Sequence, residues 1–201
     1  MPITFSTPSG FFEWSPAAWL RVTGPDALLF LQGQFSQDLR MLAVAAAGAE
    51  PAYGLWLTLK GKVEADGFVF RGESADEFWI GSYFSRAPVI RARLEGFIIA
   101  DDVTIEDQTD AWTGITWVGE APPVPAGVFA FTGRRGFPGS RDGVYRRDAR
   151  VDAVGSRLET ETVERARIAA RIPAVPVDAG PGDLPHEADL DATAVSYTKG
   201  C

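Results

Sequence analysis

The last three residues of the sequence, Lys199, Gly200 and Cys201, are the first candidates for chemistry. Cys201 is the only cysteine among the 201 residues. A cationic neighbour favours the thiolate, which is the nucleophilic form of a cysteine, so Lys199 suits a reactive thiol. The α-carboxylate on Cys201 opposes that ionisation.

Asp66 is a second candidate, because a carboxylate inside a strand pattern is unfavourable by β-propensity alone. It either faces solvent or points into a pocket, where it would accept hydrogen bonds from an NH-rich heterocycle or a protonated amine. Gly33, which is followed by Gln34 in a helical pattern, has two explanations: close packing against a strand, or close approach of a ligand.

The lysines are few and clustered. The chain has three lysines against sixteen arginines, and Lys60 and Lys62 lie in the segment "LKGKVEAD". Where a chain otherwise uses arginine, lysines suggest sites that need a compact ammonium group. Ten arginines between residues 134 and 171 form either a solvated, ion-paired helix face or a surface for an anionic ligand.

Several kinds of site are excluded by what the sequence lacks. His186 is the only histidine, and no residue pattern connects it to a nucleophile, so we interpret it as a loop residue. One histidine and one cysteine cannot make a standard zinc site, and no metal site is predicted. Neither GxGxxG nor GxxxxGK[ST] is present.

Composition predicts a globular cytoplasmic protein that does not bind nucleic acid directly. The net charge is −8, which disfavours a general nucleic-acid binder. A 46% hydrophobic content supports a core without disulfides or metal, and one cysteine fits a reducing compartment. The sequence shows neither a secretion-signal pattern at its start nor an apolar stretch of membrane-spanning length.

The order of patterns predicts an α+β fold. Residues 23–40 predict a helix with Thr23 as its N-cap. Residues 53–70 predict a hairpin that turns at Lys60-Gly61. A second helix near Pro88 and an alternating strand follow, and a shorter second set of strands leads to a helix that ends at Pro173.

Three stretches of the chain together resemble the YgfZ/GcvT-type folate-binding family. They are, in order, "VTGPDALLFLQGQFSQDL", "LWLTLKGKVEADGFVF" and "RIAARIPAVPVDAGPGDLPHEADLDATAVSYTKGC". The family hallmark is Lys-Gly-Cys-Tyr-x-Gly-Gln-Glu, and residues 199–201 match its first three positions. Arg167 matches the family's Arg-Ile-x-x-Gly-Ile-Pro, in which Arg171 stands where glycine is usual.

The resemblance implies two intertwined, ferredoxin-like α+β halves of the aminomethyltransferase folate-binding type. It places the first half at about residues 1–110, the second at about 111–172, and a tail with the partial motif at 173–201. The rest of the motif and the C-terminal β-barrel of family members are not part of this sequence.

The resemblance also implies a ligand and a set of site residues. Tetrahydrofolate or a derivative would bind in a central channel. Cys201 and Lys199 would be catalytic in redox or sulfur chemistry. The implied cofactor-binding residues are Asp66 and Glu187 for the pterin, Arg167 for the glutamate tail, and Gly33, Gln34 and Lys60.

The family has two functional branches. YgfZ-like proteins bind folate and support iron–sulfur enzymes or their assembly, including enzymes of tRNA modification, whereas the other branch transfers an aminomethyl carbon in glycine cleavage. Lys-Gly-Cys favours the first branch, as does Ala65-Asp66 where the aminomethyltransferases carry Asp-Asp. The alternatives are a glycine-cleavage-type aminomethyltransferase and a non-catalytic binding protein.

Overall fold

The computed structural model describes residues 9–199, which form two compact units. The smaller unit contains residues 9–15 and 111–172, and the larger unit contains residues 16–110 and 173–199. Each unit is therefore assembled from two separate segments of the chain.

The elements of both units are short strands and helices. In chain order the strands are β1 (Gly10–Trp14), β2 (Ala18–Thr23), β3 (Ala52–Leu57), β4 (Val63–Arg71), β5 (Glu77–Ser82), β6 (Thr104–Asp107), β7 (Trp112–Val118), β8 (Phe129–Phe131), β9 (Arg141–Arg146) and β10 (Ser156–Arg157). The helices are α1 (Ala27–Gln34), α2 (Arg40–Val44), α3 (Ala87–Glu95), α4 (Thr160–Ala169) and α5 (Asp191–Ala194).

The larger unit is built on a five-stranded antiparallel sheet of order β3-β4-β5-β2-β6. Alternate residues of each strand point to one face, where α1 and α3 cover them. The buried residues of this helix-covered face include Leu20, Trp56, Val69, Ile80 and Leu94. A fully buried side chain of this size contributes about 1.5–3 kcal/mol to folding.

The opposite face of the same sheet carries aromatic residues and Asp66. Leu55 pairs with Asp66 across β3 and β4, and the register shifts by one residue between Trp56 and Leu57. This β-bulge changes the alternation, so that both Glu64 and Ala65 lie on the helix-covered side. Asp66 is left on the opposite face.

The second segment of the larger unit, residues 173–199, covers the hairpin end of that opposite face. Leu190 and Ala194 pack with Leu55 and Val63 in a buried cluster. The backbone N–H of Val63 donates to the carbonyl of Asp183 at 2.9 Å. This tail segment is therefore an integral layer of the larger unit.

The smaller unit has a second five-stranded sheet, of order β10-β1-β7-β9-β8. Among the described strands of this sheet, only the β1–β10 pair is parallel. Ile115 and Trp117 form part of its core, and Val163 of α4 packs with Val118 and Phe137.

The structure confirms the predicted α+β class and the hairpin. Gly61 adopts a φ of 72°, which the turn requires and which glycine adopts without steric cost. The predicted helix at 23–40 is wrong in extent, because Thr23 ends β2 and pairs with Thr104. Helix α1 ends at Gln34, and Phe35 then pairs with Trp56 in an isolated bridge.

Candidate functional site

The carboxylate of Asp66 lies in a cluster of hydroxyl groups. Asp66 is 5% exposed, and its Oδ1 accepts hydrogen bonds from Ser85 Oγ at 2.7 Å and from Ser82 Oγ at 3.0 Å. Its Oδ2 accepts a hydrogen bond from the Tyr53 hydroxyl at 2.9 Å. Three protein hydroxyls thus hold a buried carboxylate in one orientation.

Backbone groups fix the two serines in turn. Ser85 Oγ accepts a hydrogen bond from the N–H of Asp66 at 3.0 Å, and Ser82 Oγ accepts one from the N–H of Ser85 at 3.0 Å. Ser85 Oγ also lies 3.2 Å from the carbonyl oxygen of Val175 in the tail segment. The serine pair therefore connects β4, the end of β5 and the tail.

A row of aromatic rings begins beside this carboxylate, at Tyr53, and runs along the same face of the sheet. The ring of Tyr53 lies 5.0 Å from that of Phe68, and Phe68 lies 5.5 Å from Tyr83 in an edge-to-face arrangement. Trp19 continues the row at 5.1 Å from Phe70. Phe68, Phe70 and Trp19 are buried, whereas Tyr53 and Tyr83 are half-buried. A flat heterocycle would therefore stack on the two tyrosine rings, with the carboxylate as its hydrogen-bond acceptor.

Sequence reasoning identified Asp66 but missed Tyr53, Ser82 and Ser85. The three residues are 13, 16 and 19 positions from Asp66. The only available signal was the order of the three strands β3, β4 and β5, which does not specify which side chains meet.

Gly33, Gln34 and Lys60 belong to a different part of the larger unit. Gly33 is exposed, and no atom lies within 4 Å of the position that a Cβ would take. Close packing is therefore not the reason for this glycine. Gln34 Oε1 accepts a hydrogen bond from Arg93 Nη1 at 2.9 Å, and Lys60 lies in the exposed hairpin turn.

Glu187 caps a short 3-10 helix at Pro185–Ala188. Its Oε2 accepts a hydrogen bond from the N–H of Leu184 at 2.6 Å, and the side chain is exposed. His186 is exposed in the same turn. The capping bond gives Glu187 a local structural role.

Lys199 lies against the segment that follows α1. Its Nζ donates a hydrogen bond to the carbonyl of Phe35, and the N–H of Ser196 donates to the carbonyl of Ser36 at 3.0 Å. These contacts hold the end of the tail segment on the larger unit. Cys201 lies outside the described residues.

Arg167 belongs to the smaller unit and is buried there. Its Nε and Nη2 donate to Glu164 Oε2 at 3.0 and 2.9 Å, and its Nη1 donates to the carbonyl of Ile172 at 2.6 Å. The guanidinium thus links the last turn of α4 to the residues that follow the helix. Arg135 of the same unit is buried as well, with its guanidinium 4.8 Å from the centre of the Trp14 ring.

The fold matches that of a glycine cleavage system aminomethyltransferase T. The crystal structure of that protein from Bartonella henselae superposes with a TM-score of 0.74 at 15% sequence identity. The match covers 96% of this chain and 60% of the aminomethyltransferase, so this chain spans less than two thirds of its length. Identity at this level shows a shared fold. No protein-family model and no curated protein sequence matches the chain.

No helix within residues 9–199 combines the length and the apolar character that crossing a bilayer requires.

Proposed function

We propose that this chain binds tetrahydrofolate or a derivative and acts as an accessory protein for iron–sulfur enzymes, among them enzymes of tRNA modification. The observation that carries the folate proposal is the buried Asp66 carboxylate, hydrogen-bonded to the half-buried Tyr53. A pterin ring offers N–H donors along one edge and a flat surface for stacking, which complements this arrangement. The fold match to an aminomethyltransferase supports the same ligand class.

Ligand binding at Asp66 needs an acceptor oxygen that faces the ligand. Ser82 and Ser85 are almost fully buried, so a ligand cannot reach the carboxylate past them. Tyr53 is half-buried, and a pterin N–H would therefore approach the oxygen that the Tyr53 hydroxyl binds, either beside that hydroxyl or in its place. The serines would keep the carboxylate oriented while that exchange takes place.

Two other predicted ligands of folate, Arg167 and Glu187, already form contacts within the protein. Arg167 would bind the folate glutamate by exchanging one of its contacts to Glu164. Glu187 would have to release the N–H of Leu184 before it could reach a ligand. Asp66 is therefore the stronger candidate of the two carboxylates.

Isothermal titration with 5-formyltetrahydrofolate tests the folate proposal. We expect saturable binding to the parent chain and at least about tenfold weaker binding to Asp66→Asn, since a lost charge-assisted hydrogen bond costs roughly 1.5–3 kcal/mol. Asp76→Asn, at an exposed carboxylate of the same unit, is the matched control and should bind as the parent does.

Tyr53→Phe provides a second variant that keeps the test decisive if Asp66→Asn fails to fold. Removing the competing hydroxyl should leave the affinity equal to or higher than that of the parent. A folded parent protein that produces no heat with the ligand up to millimolar concentrations would rule out the folate proposal.

An aminomethyltransferase activity is the second candidate, and the fold match favours it. The structure weakens one argument against it. Ala65 is buried among the helix-covered residues, on the opposite side of the sheet from Asp66. A carboxylate at position 65 would not share the Asp66 site. The absence of that carboxylate is therefore weak evidence against an aminomethyl transfer reaction.

Turnover separates the two candidates. The accessory role predicts no transfer of the aminomethyl carbon from a loaded carrier protein to tetrahydrofolate, and it predicts that cells lacking the protein lose iron–sulfur enzyme activity. The parent gene should restore that activity and Cys201→Ala should not. Measured transfer with the parent chain would replace the accessory role by the enzymatic one.

A further inference from the structure

A cleft of about 500 Å³ opens at the turn end of the β3–β4 hairpin. It lies on the α3 side of the sheet. The residues that line it are Thr58, Leu59, Lys60, Lys62, Glu64, Arg93, Phe97 and Gly182. Its size is in the range of small-molecule sites, about 300–1,000 Å³.

The cleft is positively charged in a negatively charged protein. Three cations, Lys60, Lys62 and Arg93, face one carboxylate, Glu64, which leaves a balance of +2 against −8 for the whole chain. Arg93 Nε binds the Glu64 carboxylate at 2.8 Å, so this acid is already paired. Neither lysine ammonium forms an ion pair or hydrogen bond with any residue in the described range 9–199.

One wall of the cleft is apolar and held in place. The Arg93 guanidinium lies 4.0 Å from the centre of the Phe97 ring, a cation–π contact. Phe97 is nevertheless 39% exposed, and Leu59 beside it is 95% exposed. The wall therefore presents apolar surface next to two unpaired ammonium groups.

The hairpin turn fixes the backbone from which both lysines project. Thr58 Oγ1 accepts hydrogen bonds from the N–H of Lys60 at 3.3 Å and from that of Lys62 at 3.0 Å. The N–H of Thr58 donates to the carbonyl of Lys62 at 2.8 Å. Ligand binding would thus need to order only the lysine side chains, which lowers its entropic cost.

We propose that this cleft, which we name the hairpin cleft, is a second binding site for an organic anion. Its ligand carries a phosphate or carboxylate group between Lys60 and Lys62 and places a flat apolar body on Phe97 and Leu59. The site is distinct from Asp66, because Glu64 and α3 lie on the helix-covered side of the sheet and Asp66 lies on the other. Lys60 thereby serves an anion other than the folate of the proposed function.

The scarcity of lysine makes a direct test possible. Reductive methylation with ¹³C-formaldehyde keeps the charge and gives one NMR signal for each of the three lysines, besides that of the N-terminal amine. Lys60→Gln and Lys62→Gln assign the first two lysine signals, and Lys199→Gln assigns the third. During titration with 1-naphthyl phosphate, we expect saturable shifts of the Lys60 and Lys62 signals and none of the Lys199 signal. Inorganic pyrophosphate, which lacks an apolar body, should bind at least fivefold more weakly.

Charge variants provide the control. The double variant Lys60→Gln/Lys62→Gln should bind 1-naphthyl phosphate at least tenfold more weakly, and Lys60→Arg/Lys62→Arg should recover most of the affinity. Arg150→Gln removes an exposed arginine of the smaller unit and should leave binding unchanged.

Three results would overturn the proposal. They are equal, non-saturating shifts of all three lysine signals, an equal loss of affinity in Arg150→Gln, and a loss of 5-formyltetrahydrofolate binding in the double glutamine variant. The last would show that the hairpin cleft takes the anionic tail of folate. Failure of folate to bind the parent chain, with 1-naphthyl phosphate still bound, would overturn only the proposed function.

Discussion

Arg93 connects several parts of the larger unit through one guanidinium group. From α3 it donates to Glu64 on β4 at 2.8 Å, to the carbonyl of Leu57 on β3 at 3.1 Å and to Gln34 at the end of α1 at 2.9 Å. Its side chain is 13% exposed. The planar fork of arginine allows these contacts together, whereas a lysine ammonium is a compact charge without that geometry.

Arg93→Lys should therefore destabilise the protein. Loss of two of the three hydrogen bonds predicts a fall of about 2 kcal/mol in the free energy of unfolding. Urea denaturation at neutral pH measures it. Arg91→Lys is the matched control on the same helix, because Arg91 forms an exposed pair with Glu95 and should change stability by less than about 0.5 kcal/mol.

Glu77 links the stability of the larger unit to pH. Burial raises the pKa of this carboxyl. The hydrogen bond and the charge of Arg21, with the backbone N–H groups of Ser74 and Glu73, lower the pKa by more than burial raises it, so that it lies below its ordinary value of 4.5. A lowered pKa in the folded state gives stability that is complete above pH 4.5 and is lost as the pH falls below it.

Glu77→Gln should lower stability at neutral pH and reduce its variation with pH on the acid side. Urea denaturation at a series of pH values measures both effects. Glu106 is the exposed partner of the same arginine at 3.2 Å, and Glu106→Gln should retain the acid dependence of the parent. Indistinguishable acid limbs for the parent and Glu77→Gln would contradict this prediction.

At the scale of elements, the β-bulge in the β3–β4 hairpin places the carboxylates of Glu64 and Asp66 on opposite faces of the sheet. Glu64 reaches Arg93 on the helix-covered side, and Asp66 reaches Ser85 and Tyr53 on the other side. A regular strand would have placed Glu64 and Asp66 on the same face. The bulge is therefore what separates the hairpin cleft from the Asp66 cluster.

Helix α1 contains a glycine that its packing does not require. Gly33→Ala should raise the free energy of unfolding by about 0.5–1 kcal/mol, because a Cβ meets open space and alanine favours the helix. Gly54→Ala is the contrasting control and should destabilise, since its Cβ would lie 2.8 Å from the Phe35 ring. Urea denaturation of both variants tests the pair, and a loss of stability in Gly33→Ala would contradict the prediction.

At the scale of the whole molecule, both units depend on segments that are distant in sequence. The tail segment follows the smaller unit in sequence and packs on the larger one. It buries Leu55 and Val63 of the hairpin with four apolar residues, Val175, Ala179, Leu190 and Ala194. The hairpin would expose these apolar residues without the tail segment. A division of the chain at one position between residues 110 and 111 therefore does not isolate a complete larger unit.

We expect a fragment of residues 16–110 to be less stable than the same fragment joined by a flexible linker to residues 173–199. Circular dichroism during urea denaturation should show a cooperative transition only for the joined form. Leu190→Ala in the joined form should cost about 2–5 kcal/mol, as for other buried leucines. Equal stability of both fragments would show that the tail segment is dispensable.

The sequence by itself determined features that depend on neighbouring residues. It predicted the α+β class from the order of helical and alternating patterns, the hairpin turn from Lys60-Gly61, and Asp66 as an unusual carboxylate within a strand. These features follow from local backbone preferences and from the period of side-chain direction. The extent of α1 escaped it, because Phe35 leaves the helix to pair with Trp56, which is 21 positions further along the chain.

Only the tertiary structure decided which distant groups meet. The hydroxyls of Tyr53, Ser82 and Ser85 reach Asp66 through the register of three strands, β3, β4 and β5, and the turn after β5. Lys199 reaches Phe35 across 164 positions, because the tail segment returns to the larger unit. Local propensity carries no information about such pairs, since their contact depends on strand register, a β-bulge and the packing of separate chain segments.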